Sequence, residues 1–333
     1  MLNKEWKVEE KEASIWRYRG MLPIDKGVSL GEGITPVRRV MGVQVKDETR
    51  NPTGSYADRG STVLTSVLRP SEVNLIFERD LTLSISEYLR ASGSRVRVSV
   101  DPEDVDLIEL LYLANTGADI TFDKIRPSFS YHNPLMLEGF KTLAYELYEQ
   151  LNPKGVVLPA ETGFLGYSVV RGFQELEELG LISSPQVILA AHEEADHPML
   201  DFVQGLGARV VRVKARDALY TLLSLSKAGV VVKPVSAMAY HVSKSTGYVA
   251  VLTATGMRKV PKLREKSSHL QEKVIKSLSE GEKTAYQIWK ELKGATLQGV
   301  YLALNRLVSE RKVRVRHVMR GKRKVALYSL NDC

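Results

Sequence analysis

Short apolar runs rich in β-branched residues recur along the chain, at VQVKDE from 43, VNLIFE from 73, RVRVSV from 95, DITFD from 119, VVLPA from 156, VILAA from 187, ARVVRV from 208, GVVVKP from 229 and YVAVLT from 248. Between them the apolar positions fall at helical spacing. Alternation of this kind predicts parallel strands covered by helices on both faces, and about nine strands suit two α/β lobes better than one. A ligand is then expected near carboxyl strand ends, in the crevice between the lobes.

Beyond about residue 262 the pattern changes. Leu270, Val274, Ile275 and Leu278 form one helical stripe that Gly281 ends, and Thr284 with Gln287 reads as a capping box opening a second helix through Ile288, Trp289 and Leu292. A third helix starts at Thr296. Leu297, Val300, Tyr301, Leu304, Leu307 and Val308 are expected on its inner face, leaving Gln298, Leu302, Asn305 and Arg306 outside. VRVRHVM and VALYSL then read as a hairpin around the basic turn RGKRK. Three helices and a basic hairpin are the winged helix-turn-helix order, so the chain divides into a body over 1–262 and a winged-helix domain over 263–333.

Charge sharpens this division. The 333 residues carry a formal +8, but residues 261–333 hold 17 Lys/Arg against 7 Asp/Glu, and the rest 30 against 32. A slightly acidic body therefore bears a strongly basic tail, as expected of an appended polyanion-binding module. The alternative is a solvated face kept for solubility. The single cysteine, Cys333, excludes a disulfide framework within the chain and a cysteine-based metal cluster. An apolar content of 44% is that of a folded protein, and no apolar run approaches a membrane span or a signal h-region. A cytoplasmic protein without membrane contact is expected. The six histidines show no metal-binding spacing, and neither a Walker loop nor a GxGxxG follows any strand. No metal site is expected.

WRYRGMLP (16–23), SLGEGITPV (29–37), VKDETRNPTGSYADRGST (45–62), NPLMLEGFKTLAYELYEQL (133–151), VVVKPVSAMA (230–239) and VLTATGMRK (251–259) stand in the order seen in threonine synthases. Over about residues 14–260 the chain resembles that family. The resemblance implies a two-lobed, fold-type-II pyridoxal-phosphate architecture, a homodimer, and a cofactor between the lobes. It also implies roles that this sequence departs from. The family's Schiff-base lysine follows NPTGS and an aromatic residue; here Ser55, Tyr56 and Ala57 occupy the stretch, and alanine forms no imine. The loop that holds the substrate carboxylate becomes Phe77, Glu78, Arg79, Asp80, Leu81, Thr82, and the phosphate cradle becomes Ala160, Glu161, Thr162, Gly163, Phe164. Thr253 keeps the position that contacts the pyridine nitrogen, with Ala254 after it. Lys141 and Lys233 lack the loop context of the missing lysine, Lys233 being expected within a strand.

These departures lead to the expectation of a body that is not an enzyme and carries no cofactor, its cleft (Ser55, Tyr56, Ala57, Arg79, Asp80, Glu161, Thr162, Gly163, Thr253) either holding a small amino-acid-like ligand or filled in. A divergent pyridoxal-phosphate lyase with an accessory winged helix is the alternative, and a structural partner of an active paralogue is a third. The stretch TLQGVYLALNRLVSERKVRVR resembles the recognition-helix region of winged-helix regulators. By that resemblance Thr296, Gln298, Asn305 and Arg306 face duplex DNA, Gln298 and Asn305 suiting adenine edges, while Lys312, Arg314, Arg316, Arg320, Lys322, Arg323 and Lys324 meet phosphates. The expected whole is a homodimeric, DNA-binding transcription regulator.

Overall fold

A computed structural model describes residues 5–257, 267–292, 295–309, 312–320 and 323–331. The chain forms two compact units, Met1–Val260 and Pro261–Cys333.

In the body, β1 (Val37–Val40) and β2 (Val43–Asp47) form a hairpin, followed by α1 (Ala57–Leu68). A smaller lobe is then built from β3 (Glu72–Ile76), α2 (Arg79–Ala91), β4 (Arg95–Ser99), α3 (Leu107–Asn115) and β5 (Asp119–Thr121). The long α4 (Pro134–Leu151) leads to β6 (Gly155–Ala160), α5 (Phe164–Glu178), β7 (Gln186–His192), α6 (Pro198–Gly205), β8 (Arg209–Val213), α7 (Ala215–Lys227), α8 (Pro234–Thr246) and β9 (Val249–Leu252).

The strands form two sheets, β1-β2-β9-β6-β7-β8 and the all-parallel β3-β4-β5, and only the β1–β2 pair is antiparallel. Parallel strands need crossover helices, which cover both faces; accordingly all six residues of β6 are buried. β4 instead alternates, with Val96 and Val98 buried between exposed Arg95 and Arg97, because helices cover one face of the smaller sheet there. Two expectations are corrected. GVVVKP is not a strand: Val232 makes one isolated bridge to Thr255, and Lys233 is the N-cap of α8, since Pro234 supplies no N–H and suits a first helical turn. Conversely, β1 is a strand that periodicity alone does not reveal.

Between the lobes α1 crosses α4 at glycines. A Cβ on Gly139 would lie 2.0 Å from the Arg59 carbonyl oxygen, and one on Gly60 would lie 2.6 Å from the Phe140 ring. This approach is close enough to seal a fully buried charge network. Arg59 donates to Glu48 at 2.6 and 2.8 Å and pairs with Glu146 at 2.8 Å, and Glu146 also holds Lys46. Two cations and two carboxylates cancel, as buried charges must.

In the tail, α9 (Ser267–Leu278), α10 (Ala285–Glu291) and α11 (Leu297–Ser309) precede the antiparallel pair β10 (Val313–Arg320) and β11 (Arg323–Leu330). Val274, Leu278, Ile288, Val300, Leu304, Leu307 and Tyr328 make a core of its own. Thr284 and Gln287 form the expected capping box. Tyr301 was expected inside, but nearly half its surface is exposed, and Ala303 takes the buried position instead. The strands also run further than expected, to the Arg320–Arg323 pair; Gly321 and Lys322 of the expected turn lie outside the described residues.

Candidate functional site

The carboxyl ends of β3, β6 and β9 open toward the same region, and α1 starts beside them. Ser55 bridges Ala254, the Tyr56 N–H donates to the Thr253 carbonyl at 2.9 Å, and the Lys233 N–H donates to the Ala254 carbonyl at 3.1 Å. Three segments far apart in sequence are thus stitched together by backbone. Ala57 opens α1 with its N–H on Ser55 Oγ (3.2 Å) and no exposed surface. Thr253 is buried, its N–H donating to Ser236 Oγ at 3.0 Å with the two hydroxyl oxygens 3.1 Å apart.

After β3 the chain turns into α2 through Arg79, whose φ of +35° is in the left-handed region, unusual for a residue with a Cβ. Arg79 directs a mostly exposed guanidinium outward, 3.8 Å from Glu109 Oε2. Asp80 is more enclosed and receives Lys233 Nζ at 2.7 Å. Lys233 therefore reaches from the larger sheet's side onto the smaller lobe, and its Nζ also lies 3.6 Å from Glu109 Oε1.

After β6, Glu161 is exposed and Gly163, at φ +88°, caps α5, a conformation that explains a glycine there. The charges of Asp80, Glu161 and Glu78 all act on the partly buried Tyr56, whose phenol burial and these charges push above its usual range. Glu78 is raised too, by burial and then by Glu161. His132 stacks on Phe164 with centroids 4.0 Å apart, and burial followed by His197 lowers its pKa. Its Nε2 lies 4.0 Å from Glu78.

Of the sequence-predicted cleft residues, Ser55, Tyr56, Ala57 and Thr253 are thus assembled by backbone, while Asp80 and Glu161 join them through their charges. Sequence reasoning set Lys233 aside, named Phe164 only within the loop after β6, and missed Glu109 and His132. The NPLML motif beside His132 was the only hint, and nothing in α3 distinguishes Glu109 from a solvated helix acid until Lys233 is seen to reach it.

The tail's candidate residues are spread over one helix and the strand pair. Thr296 Oγ1 accepts the Gly299 N–H at 3.0 Å, which makes it a cap rather than a free contact. Asn305 and Arg306 are exposed on α11, and Lys312 is exposed before β10. Gln298 lies in α11, and Arg320, Arg323 and Lys324 lie in the strands. Arg314 donates to Ser329 at 2.9 Å. Arg316 forks onto Glu282 at 3.0 Å, an acid outside the basic stretch, which pulls that arginine away from a free phosphate-facing role.

No family model matches the chain. Among curated proteins, the threonine synthase of Methanocaldococcus jannaschii is 28% identical over 258 residues, covering 66% of this chain and 63% of that protein. That of Methanosarcina acetivorans is 26% identical over 231 residues, 60% of this chain and 57% of that protein. The chain is thus similar in sequence to threonine synthases. The chain spans about three-fifths of the length of these relatives.

Solved structures with the same fold include an L-serine ammonia-lyase from Rhizomucor miehei, with TM-score 0.58 and 16% identity, covering 72% of this chain and 98% of that one. Another is a pyridoxal 5'-phosphate-dependent aspartate racemase, with TM-score 0.57 and 12% identity, covering 68% and 92%. These findings correct the expectation of a chain that is not an enzyme, since the homologues are named threonine synthases and the fold neighbours are lyases and racemases.

The residues of this chain do not fit a pyridoxal phosphate tethered at position 57. Ala57 has no amine, Glu161 puts an exposed carboxylate in the loop that the resemblance makes the phosphate cradle, and the Thr253 hydroxyl is engaged by Ser236. The amine that the cleft does present is that of Lys233. Among the described residues no helix is long and apolar enough to cross a membrane.

Proposed function

We propose that this chain is a divergent enzyme acting on a small amino-acid substrate, with an accessory winged-helix tail that binds double-stranded DNA. The observation carrying the enzymatic part is the homology that runs along the body, combined with ionisable side chains gathered at the carboxyl ends of β3, β6 and β9. Lys233, held by Asp80, is the amine this cleft offers for proton transfer or for a substrate carboxylate. Full-length protein assayed for ammonia release from L-serine and L-threonine, and for phosphate release from O-phosphohomoserine, tests this. Turnover that Lys233→Ala abolishes supports the reading; no turnover above a denatured control overturns it.

A second reading, transcription regulation by the same chain, is favoured by the tail. Tyr301, Leu302, Asn305 and Arg306 line an exposed face of α11, and basic strands follow it. A homodimer would set two such helices one turn of DNA apart, ~34 Å, or a multiple of that. Occupancy of the cleft would then shift DNA affinity, which fluorescence anisotropy with and without substrate measures directly. Absence of duplex binding at low salt removes this reading and leaves the enzymatic one.

A further inference from the structure

The cleft has the wrong charge for a phosphate and the right charge for an amine. Asp80, Glu78 and Glu161 all bear on Tyr56, while Lys233 pairs with Asp80 and the outward-turned Arg79 lies nearest Glu109. His132, 4.0 Å from Glu78, is held toward its neutral form by burial and by His197. Separately, Glu109 is left incomplete. Its side chain is 5% exposed, yet Oε2 makes no hydrogen bond among the described residues. The nearest cationic nitrogens are Lys233 Nζ, 3.6 Å from Oε1, and Arg79 Nη1, 3.8 Å from Oε2. Both are beyond hydrogen-bond distance. Lys233 cannot serve two carboxylates well, and it gives its close contact to Asp80 at 2.7 Å. A buried carboxylate oxygen without a donor is costly unless something supplies one.

We propose that this cleft holds a small molecule by a primary ammonium group, taken by Glu109 and Asp80, and that it excludes phosphate. An ammonium carries three N–H donors, enough to complete Glu109 Oε2 and to share Asp80 with Lys233. Lys233, partly released, then faces any carboxylate on the same molecule. Phosphorylated substrates are disfavoured by Glu78 and Glu161, so an unphosphorylated amino acid or diamine is the class that fits. The inference rests on the cleft being the body's ligand site and is independent of whether turnover occurs.

Titration calorimetry on the full-length protein at fixed ionic strength tests it, with L-threonine, 1,4-diaminobutane, tetramethylammonium and inorganic phosphate as probes. The first two bind; tetramethylammonium, which has no N–H, and phosphate do not. Glu109→Gln weakens both amines at least tenfold with an unchanged circular dichroism spectrum. Lys233→Met weakens L-threonine, whose carboxylate loses its cation, and spares or strengthens 1,4-diaminobutane. Phosphate or tetramethylammonium binding as tightly as the amines, or amine affinity indifferent to Glu109→Gln, overturns the proposal. Turnover without amine binding also overturns it while the enzymatic reading stands, and amine binding without turnover does the reverse.

Discussion

Arg59 grips Glu48 with two nitrogens, Nε at 2.6 Å from Oε2 and Nη2 at 2.8 Å from Oε1, in a place where neither side chain has any exposed surface. The pair starts two residues beyond Ala57 and, through Glu146 and Lys46, fixes the base of the cleft to β2 and α4. Glu48 is held well below the usual carboxylate range: burial pushes it up, but the Arg59 charge and hydrogen bonds outweigh that.

Removing one member should therefore cost more than removing both. Arg59→Met leaves Glu48 and Glu146 without their shared cation and is expected to destabilise the body by about 3–5 kcal/mol, as when one partner of a buried ion pair is deleted. Adding Glu48→Gln to it should recover part of the loss. Urea midpoints of the single and double variants check this, and strict additivity would count against coupling.

Asp58 behaves oppositely with pH. It accepts from the Thr53 N–H (2.7 Å), Thr53 Oγ1 (2.5 Å) and Ser84 Oγ (2.6 Å), yet burial dominates and pushes it up to about 7. The unfolded carboxyl titrates near about 3.9. A raised folded pKa means that its contribution is complete below about pH 4 and is lost as pH rises through about 7. Urea midpoints from pH 4.5 to 8.5 should fall across that window, and Asp58→Asn, which does not titrate, should flatten the fall.

Gly139→Ala should strain the α1–α4 crossing, because its Cβ would sit 2.0 Å from the Arg59 carbonyl, a backbone atom that cannot swing aside. A loss of about 1–3 kcal/mol is the usual cost of overpacking, read as a lower unfolding temperature. An unchanged temperature would mean that the helices part easily.

For the tail, replacing Arg320, Lys322, Arg323 and Lys324 by Ala should weaken binding to every duplex and lower the salt slope by up to ~0.9 for each phosphate that is no longer neutralised. Gln298→Ala and Asn305→Ala should instead cost about 1–3 kcal/mol each on a preferred site and little on random DNA. Electrophoretic shifts over a salt series separate the two.

Glu282→Gln gives the contrary sign. Glu282 occupies Arg316, so removing its charge frees an arginine and subtracts an anion. Affinity for any duplex should rise and the salt slope should steepen, whereas weaker binding would show that the pair holds β10 in shape for DNA.

Much of this was settled by sequence. Periodicity read eight of the body's strands correctly, because a strand covered on both faces, like β6, is apolar along its length, and one covered on a single face, like β4, alternates. Thr284 and Gln287 fixed the start of α10 because a capping box closes within four residues. The segment at 229–233 misled because valines around a glycine look like a strand, while the ladder partner that would make it one lies at Thr255 and offers a single bridge. The basic tail was legible as a charge count; that Glu282 takes one of those arginines was not. Likewise the missing amine at position 57 is written in the sequence, but Lys233 reaching Asp80, and Glu109 Oε2 lacking a hydrogen bond, depend on two lobes closing side chains from positions 80, 109 and 233 together. Local pattern dictates elements because their hydrogen bonds are local. The cleft's chemistry was decided only by tertiary packing, because its charges meet across lobes that share no sequence neighbourhood.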